Sequence, residues 1–228
     1  MSPSVRALLE TTGLPADRLM TRRNSLPEPL QLIHRRTLLA LGQSGKPPTR
    51  VQLETWATEL HLDLDAALRH LAESELVFLD PAEREITGGV PFAPGPTAHQ
   101  VRIVDGPTVS ANCAIDALGI AAMLDRDVDV ESPDPLTGES VTASSRAGRW
   151  AWQPIEAVVF VGSSGPGRLT ETCCPVINFY TCSDHALAYK TAHALDGVVL
   201  ALSDAVEAGA IVFGDLLRSQ SARPDARQ

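Results

Sequence analysis

The stretch Val101-Arg102-Ile103-Val104-Asp105-Gly106-Pro107-Thr108-Val109-Ser110-Ala111-Asn112-Cys113-Ala114-Ile115-Asp116-Ala117-Leu118-Gly119-Ile120 decides how the chain is read. Val101–Val104 alternates like a strand with one buried side, Asp105-Gly106-Pro107 turns the chain, and Thr108–Ala111 is a second short strand. From about Cys113 to Leu124 the pattern becomes helical. Cys113 and Asp116 are three residues apart, so on a helix the thiol and the carboxylate share a face. Spacing alone favours a plain reading, a core cysteine beside a surface aspartate, because free cysteine is among the most buried residue types.

C-terminal to this stretch, Val128–Ser132 reads as a strand and Pro133–Gly138 as a turn. Glu139–Ala143 and Ala157–Val161 read as strands, the second nearly all apolar and therefore buried. The glycine-serine loop 162–167 lacks the spacing and the lysine of a phosphate-binding loop. Cys173-Cys174 precedes a strand, Val176–Tyr180. A helix over Asp184–Leu195 is ended by Gly197. A last strand, Val198–Leu202, is followed by a helix over Ala205–Leu217 that Ser203 and Asp204 are placed to cap. The polar tail, 218–228, reads as disordered.

On the N-terminal side, residues 1–26 read as a loosely held arm with one short helix around Pro3–Thr11. Residues 27–90 carry three helical segments, Leu30–Leu41, Arg50–Leu60 capped by Thr49, and Leu64–Ser74 capped by Asp63. Leu76–Leu79, a turn at 80–84 and Glu85–Thr87 complete a winged-helix-like arrangement. Six basic residues against ten acidic ones leave this module at −4. Its third helix would face phosphates with Asp63, Asp65, Glu73 and Glu75 against one Arg69, so nucleic acid is an unfavourable partner. Glycine and proline are frequent from residue 88, and 91–100 reads as a linker that packs on something. The expectation is an α+β chain. It has a winged-helix-like module at 27–90 and a catalytic domain at 101–217, with mainly antiparallel sheet flanked by helices.

Composition narrows the function classes. The 228 residues are 44% hydrophobic but only 4% aromatic, so the core must be built from aliphatic side chains. A formal net charge of −9 opposes non-specific binding to nucleic acid or anionic membrane. The absence of a signal peptide or a long apolar run points to the cytoplasm, where Cys113, Cys173, Cys174 and Cys182 would stay reduced. Three constellations compete for chemistry. One joins Cys113 and Asp116 to Cys173 or Cys174, with a helix N-terminus favouring the Cys113 thiolate. A second is a zinc site from Cys173, Cys174, Cys182 and His185, disfavoured because adjacent cysteines rarely converge on one tetrahedral ion. A third pairs a cysteine with His99, His185 or His193.

The segment Asn112-Cys113-Ala114-Ile115-Asp116-Ala117-Leu118 resembles the cysteine-aspartate motif of the organomercurial, or alkylmercury, lyases. Thr172-Cys173-Cys174-Pro175-Val176-Ile177-Asn178-Phe179-Tyr180 is similar to the second cysteine segment of that family, in which a cysteine stands five residues before a paired aromatic. Counting back from Phe179-Tyr180 selects Cys174. Pro91-Phe92, Pro96–His99, Ser132–Gly138 and Phe213-Gly214 extend the resemblance over about 27–217. Two positions depart from the pattern. Asn112 stands where some relatives carry an aromatic, and Asp134 where some carry a further cysteine, which is expected to be dispensable.

The resemblance implies protonolysis of a carbon–mercury bond to a hydrocarbon and Hg(II), without a cofactor. It assigns Cys113 and Cys174 as mercury ligands and Asp116 as the proton shuttle. It further implies cellular thiols as co-reductant and acceptor, and a mercuric reductase as the next holder of Hg(II). Thiolates suit a soft metal, and a carboxylic acid in an apolar pocket keeps its proton. Cys173 and Cys182 read as structural, or Cys173 as an extra thiol for trapping mercury. The readings from other classes are a winged-helix metal or thiol sensor and a mercury-binding relative without turnover.

Overall fold

The computed structural model describes residues 4–12 and 17–218. The tail expected to be disordered lies outside them, except for Arg218. The chain opens with two short helices, α1 (Val5–Thr11) and α2 (Arg18–Ser25). The first is the short helix expected around Pro3–Thr11, and the second corrects the loose arm expected after it. Val5, Leu9, Leu19 and Leu26 are buried, and both helices pack against the last helix of the chain.

Helix α3 (Glu28–Ser44) has Pro29 in its first turn and ends at Gly45, whose φ of 71° is the left-handed conformation that closes a helix. Helix α4 (Arg50–Glu59) starts with a complete capping box. The Thr49 side chain accepts from Gln52 N at 3.3 Å, and the Gln52 side chain accepts from Thr49 N at 2.8 Å. Asp63 caps α5 (Leu64–Glu73) by accepting from Ala66 N at 2.8 Å. Strands β1 (Val77–Leu79) and β2 (Ile86–Gly89) pair antiparallel. Beyond them the linker does pack. Phe92 bridges to Gly89 and Ala111 and is 1% exposed.

The remainder is helix and antiparallel sheet, as the sequence predicts for an α+β chain. Strands β3 (His99–Ile103) and β4 (Thr108–Ala111) lead into α6 (Ala114–Leu124). Next come β5 (Val128–Pro133), β6 (Ser140–Arg146) and β7 (Arg149–Gln153), giving a five-stranded sheet ordered β4-β3-β5-β6-β7. Strand β7 is not among the sequence-predicted elements. It forms because Ala147 and Gly148, with φ of 50° and 74°, make a two-residue turn that folds Arg149–Gln153 back on β6. A second sheet, ordered β10-β8-β9, contains β8 (Val158–Ser163), β9 (Asn178–Tyr180) and β10 (Asp196–Ala201). A single helical turn, α7 (Leu169–Thr172), also unpredicted, stands between β8 and β9. Helix α8 (Ser183–Ala192) covers this sheet. Gly197 lies inside β10 opposite Gly162, rather than ending α8.

The last helix, α9 (Leu202–Phe213), starts three residues earlier than expected, and no side chain caps it. It crosses α6 so closely that both contact positions must be glycine. A Cβ on Gly209 would lie 2.8 Å from Gly119 N, and one on Gly119 would lie 2.2 Å from a Phe213 ring carbon. The crossing fixes the N-terminal end of α6, where Cys113 sits. Among the described residues no helix is long and apolar enough to cross a membrane.

Candidate active site

Cys113 is the residue at which strand becomes helix. Its backbone is extended (φ −154°, ψ 177°), and its sulfur accepts from Asp116 N at 3.5 Å, so the thiol caps α6. One turn on, Asp116 lies on the same face, as the spacing predicts, but it is 5% exposed rather than a surface acid. Cys174 arrives from the other sheet's connection. Helix α7 turns the chain, Leu169 O accepts from both Cys173 N and Cys174 N at 2.9 Å, and Ala114 N donates to Ile177 O at 3.1 Å. That last bond ties the start of α6 to the segment carrying Cys174. The ligand atoms of Cys113, Asp116 and Cys174 all lie within 4.8 Å of one another, and among the described residues this is the one such group of metal-ligating side chains.

The three residues line a cavity of about 100 Å³ whose wall is almost entirely apolar. Leu9 and Leu19 cover it from the N-terminal helices, with Val90, Leu169, Ile177 and Phe213 around them. A larger open hollow, about 500 Å³, lies on the five-stranded sheet beside Trp152 and contains no thiol.

Burial sets the protonation of the site. It pushes the Asp116 carboxyl from 3.8 up to about 7, against hydrogen bonds from Asn112 and Cys113 that pull it down. It also raises the Cys113 thiol well above its ordinary value, aided by hydrogen bonding to Cys174 and by the Asp116 charge. This corrects the expectation of a helix-stabilised thiolate. The N–H of Asp116 does favour the anion, but loss of solvent outweighs it, so the resting Cys113 carries its proton.

The Asp116 shift has a consequence for stability. Between about pH 4 and 7 the folded protein holds a proton that the unfolded chain has released, so stability falls as pH rises through that window. Asp116→Asn removes the effect. Its thermal midpoint should gain on that of the parent as pH is raised from 4 to 7, measured by parallel unfolding scans. Identical pH dependence in the two proteins would contradict the assignment.

Sequence reasoning noted Asn112 only as a departure from the family pattern, and it missed the residue's bond to Asp116 and the role of Glu75. Asn112 Nδ2 donates to Asp116 Oδ2 and to Pro91 O, each at 3.0 Å, fixing the carboxylate and tying the linker to the site. The signal was present as an i, i+4 pair. Glu75 ties the cover down. It pairs with Arg22, lies 3.8 Å from Arg168 and accepts from Leu169 N at 3.4 Å. Cys173 lines the cavity but does not join the close group.

The other candidates separate. His185 pairs with the buried Asp134 at 2.8 Å, and Thr181 donates to the same carboxylate. His99 bonds Ser132 at 3.0 Å, and His193 stacks on Tyr189. Cys182 stands at the start of α8. Among the described residues the zinc set does not assemble.

Residues 92–214, just over half the chain, match the family model described as alkylmercury lyase. The chain belongs to the alkylmercury lyase family. An alkylmercury lyase of Bacillus cereus is 28% identical over 177 residues, covering 77% of each chain. One from Streptomyces lividans is 27% identical over 187 residues, covering 79% of this chain and 84% of its own. The solved mercury-bound form of MerB2 shares the fold, with a TM-score of 0.72 and 22% identity over 89% of this chain and 98% of that one. Membership makes this chain an enzyme of carbon–mercury bond cleavage, and organomercurials are the substrate class that fits the family.

Proposed function

We propose that this chain cleaves organomercurials by protonolysis at Cys113, Cys174 and Asp116. The observation that carries the reading is the convergence of two thiols and one buried carboxyl within 4.8 Å inside an apolar cavity. One cysteine sulfur attacks mercury and its proton passes to the Asp116 carboxylate, which a value of about 7 leaves partly ionised at neutral pH. The second thiol adds its sulfur and displaces the ligand that accompanied the mercury, which leaves carrying that thiol's proton. With two thiolates bound, electron density shifts toward the mercury-bound carbon, since soft sulfur donors suit this metal. The carbon–mercury bond then breaks, its electron pair takes the proton from Asp116, and the hydrocarbon leaves. Hg(II) stays on the two thiolates until external thiols remove it.

Every group this route needs is a side chain of the chain or a thiol, so it runs without a cofactor. Excess cellular thiol would be the acceptor, and a mercuric reductase the enzyme that consumes the product. All four cysteines are free, which suits a reducing cytoplasm. Residues 27–90 are read as a winged-helix-like module, and 101–217 as the catalytic domain. The contribution of the N-terminal part to catalysis is the cover over the cavity.

Purified protein incubated with phenylmercury and excess thiol should release benzene over many turnovers, followed by gas chromatography. Retention of mercury without hydrocarbon above the protein-free rate would reduce the chain to a mercury-binding relative.

A further inference from the structure

We propose that the mouth of the thiol cavity is a carboxylate-binding rim, in which Arg18 selects organomercurials that arrive with a carboxylate. That carboxylate sits either on the organic group or on the thiolate accompanying the mercury. The proposal rests on reading the cavity as the organomercurial site. Arg18 and Glu75 line the same cavity as Cys113, Asp116 and Cys174, although the rest of the wall is almost entirely apolar. Glu75 is already committed, since Arg22, Arg168 and the Leu169 N–H all converge on its nearly buried carboxylate. The Arg18 side chain is partly buried and has no ion-pair or hydrogen-bond partner among the described residues; its sequence neighbour Asp17 does not pair with it.

Among the described residues Arg18 is therefore the one cation lining the cavity, while the lining carboxylate of Glu75 is neutralised by Arg22 and Arg168 from outside the lining, in a chain whose formal net charge is −9. A cation held beside apolar wall without a partner is best satisfied by an anion delivered there. A guanidinium prefers a carboxylate, which it can bind through two parallel hydrogen bonds. The apolar wall offers contact area to an alkyl or aryl group but no polar discrimination. Charge at the rim is then what separates one organomercurial from another.

The test compares the full-length protein with Arg18→Gln and Arg18→Lys on two substrate pairs. The first pair is phenylmercury and its para-carboxylated analogue in an uncharged thiol. The second is phenylmercury in mercaptoethanol and in mercaptoacetate. For each pair the ratio of carboxylate to neutral form is taken in kcat/KM and in equilibrium binding. Arg18→Gln should lower the ratio roughly three- to tenfold, through KM and Kd, and Arg18→Lys should keep most of it. A fall in the first pair places the carboxylate on the organic group, and a fall in the second places it on the accompanying thiol. Unchanged ratios in both pairs overturn the proposal even if the variant loses activity overall, because a purely structural Arg18 moves both members of a pair alike. Absence of turnover in the parent protein would count against the lyase reading, and the binding ratio would still decide the rim.

Discussion

Cys174→Ser is expected to lower hydrocarbon release by at least about a thousandfold, because it replaces the soft ligand and nucleophile that the reaction requires. A serine oxygen is a hard donor and keeps its proton near neutral pH, so it neither displaces a thiolate from mercury nor weakens the carbon–mercury bond. Cys113→Ser should do the same. Cys113 is 2% exposed at the start of α6, within 4.8 Å of both partners. The instructive contrast is Cys173→Ser. Cys173 lines the cavity one residue from Cys174, yet it stands outside the close group, and its neighbour Thr172 is its hydrogen-bonding partner at 3.5 Å. That variant should lose less than about tenfold, since no bond to mercury is removed. Single-turnover benzene release from the three variants tests the set. A severe loss in Cys173→Ser with an active Cys174→Ser would reverse the choice between the adjacent cysteines.

The second large effect is structural. Gly209→Val should destabilise the fold by about 3 kcal/mol, lowering the thermal midpoint by roughly 6–12 °C. A Cβ at 209 meets Gly119 N at 2.8 Å and the Leu118 carbonyl carbon at 3.1 Å. These are backbone atoms in the middle of a helix, so no side-chain rotation relieves the clash. α6 and α9 must separate, and the start of α6 moves relative to Cys174. Loss of stability and loss of activity should therefore appear together in unfolding scans and in the benzene assay. A Gly209→Val protein with the parent's thermal midpoint would show that this crossing is not tight.

Local signals were legible in the sequence and distant ones were not. The caps at Thr49 and Asp63 and the shared face of Cys113 and Asp116 depend on residues three or four apart, and all three appear where the spacing puts them. The partnership of Cys113 with Cys174 spans two sheets. Spacing left Cys173 and Cys174 equal, and the resemblance singled out Cys174. Helix α2, of 8 residues, is too short to announce itself by periodicity, and both N-terminal helices owe their order to packing on α9. Strand β7 was hidden because Ala147 occupies a left-handed turn position that usually signals itself with Asn or Asp. The protonation of Cys113 was misjudged for a related reason. A helix N-terminus can be read from sequence, whereas complete burial becomes visible only when the N-terminal helices and α9 close the cavity.

The central claim is that the carbon–mercury bond is broken by a proton delivered inside this cavity. A single turnover of methylmercury in heavy water, with the protein in excess, measures it directly. The expected result is one equivalent of singly deuterated methane per methylmercury consumed, with the mercury remaining on the protein until thiol is added. Methane at the protein-free rate, or methane from the Asp116→Ala protein as fast as from the parent, would contradict it.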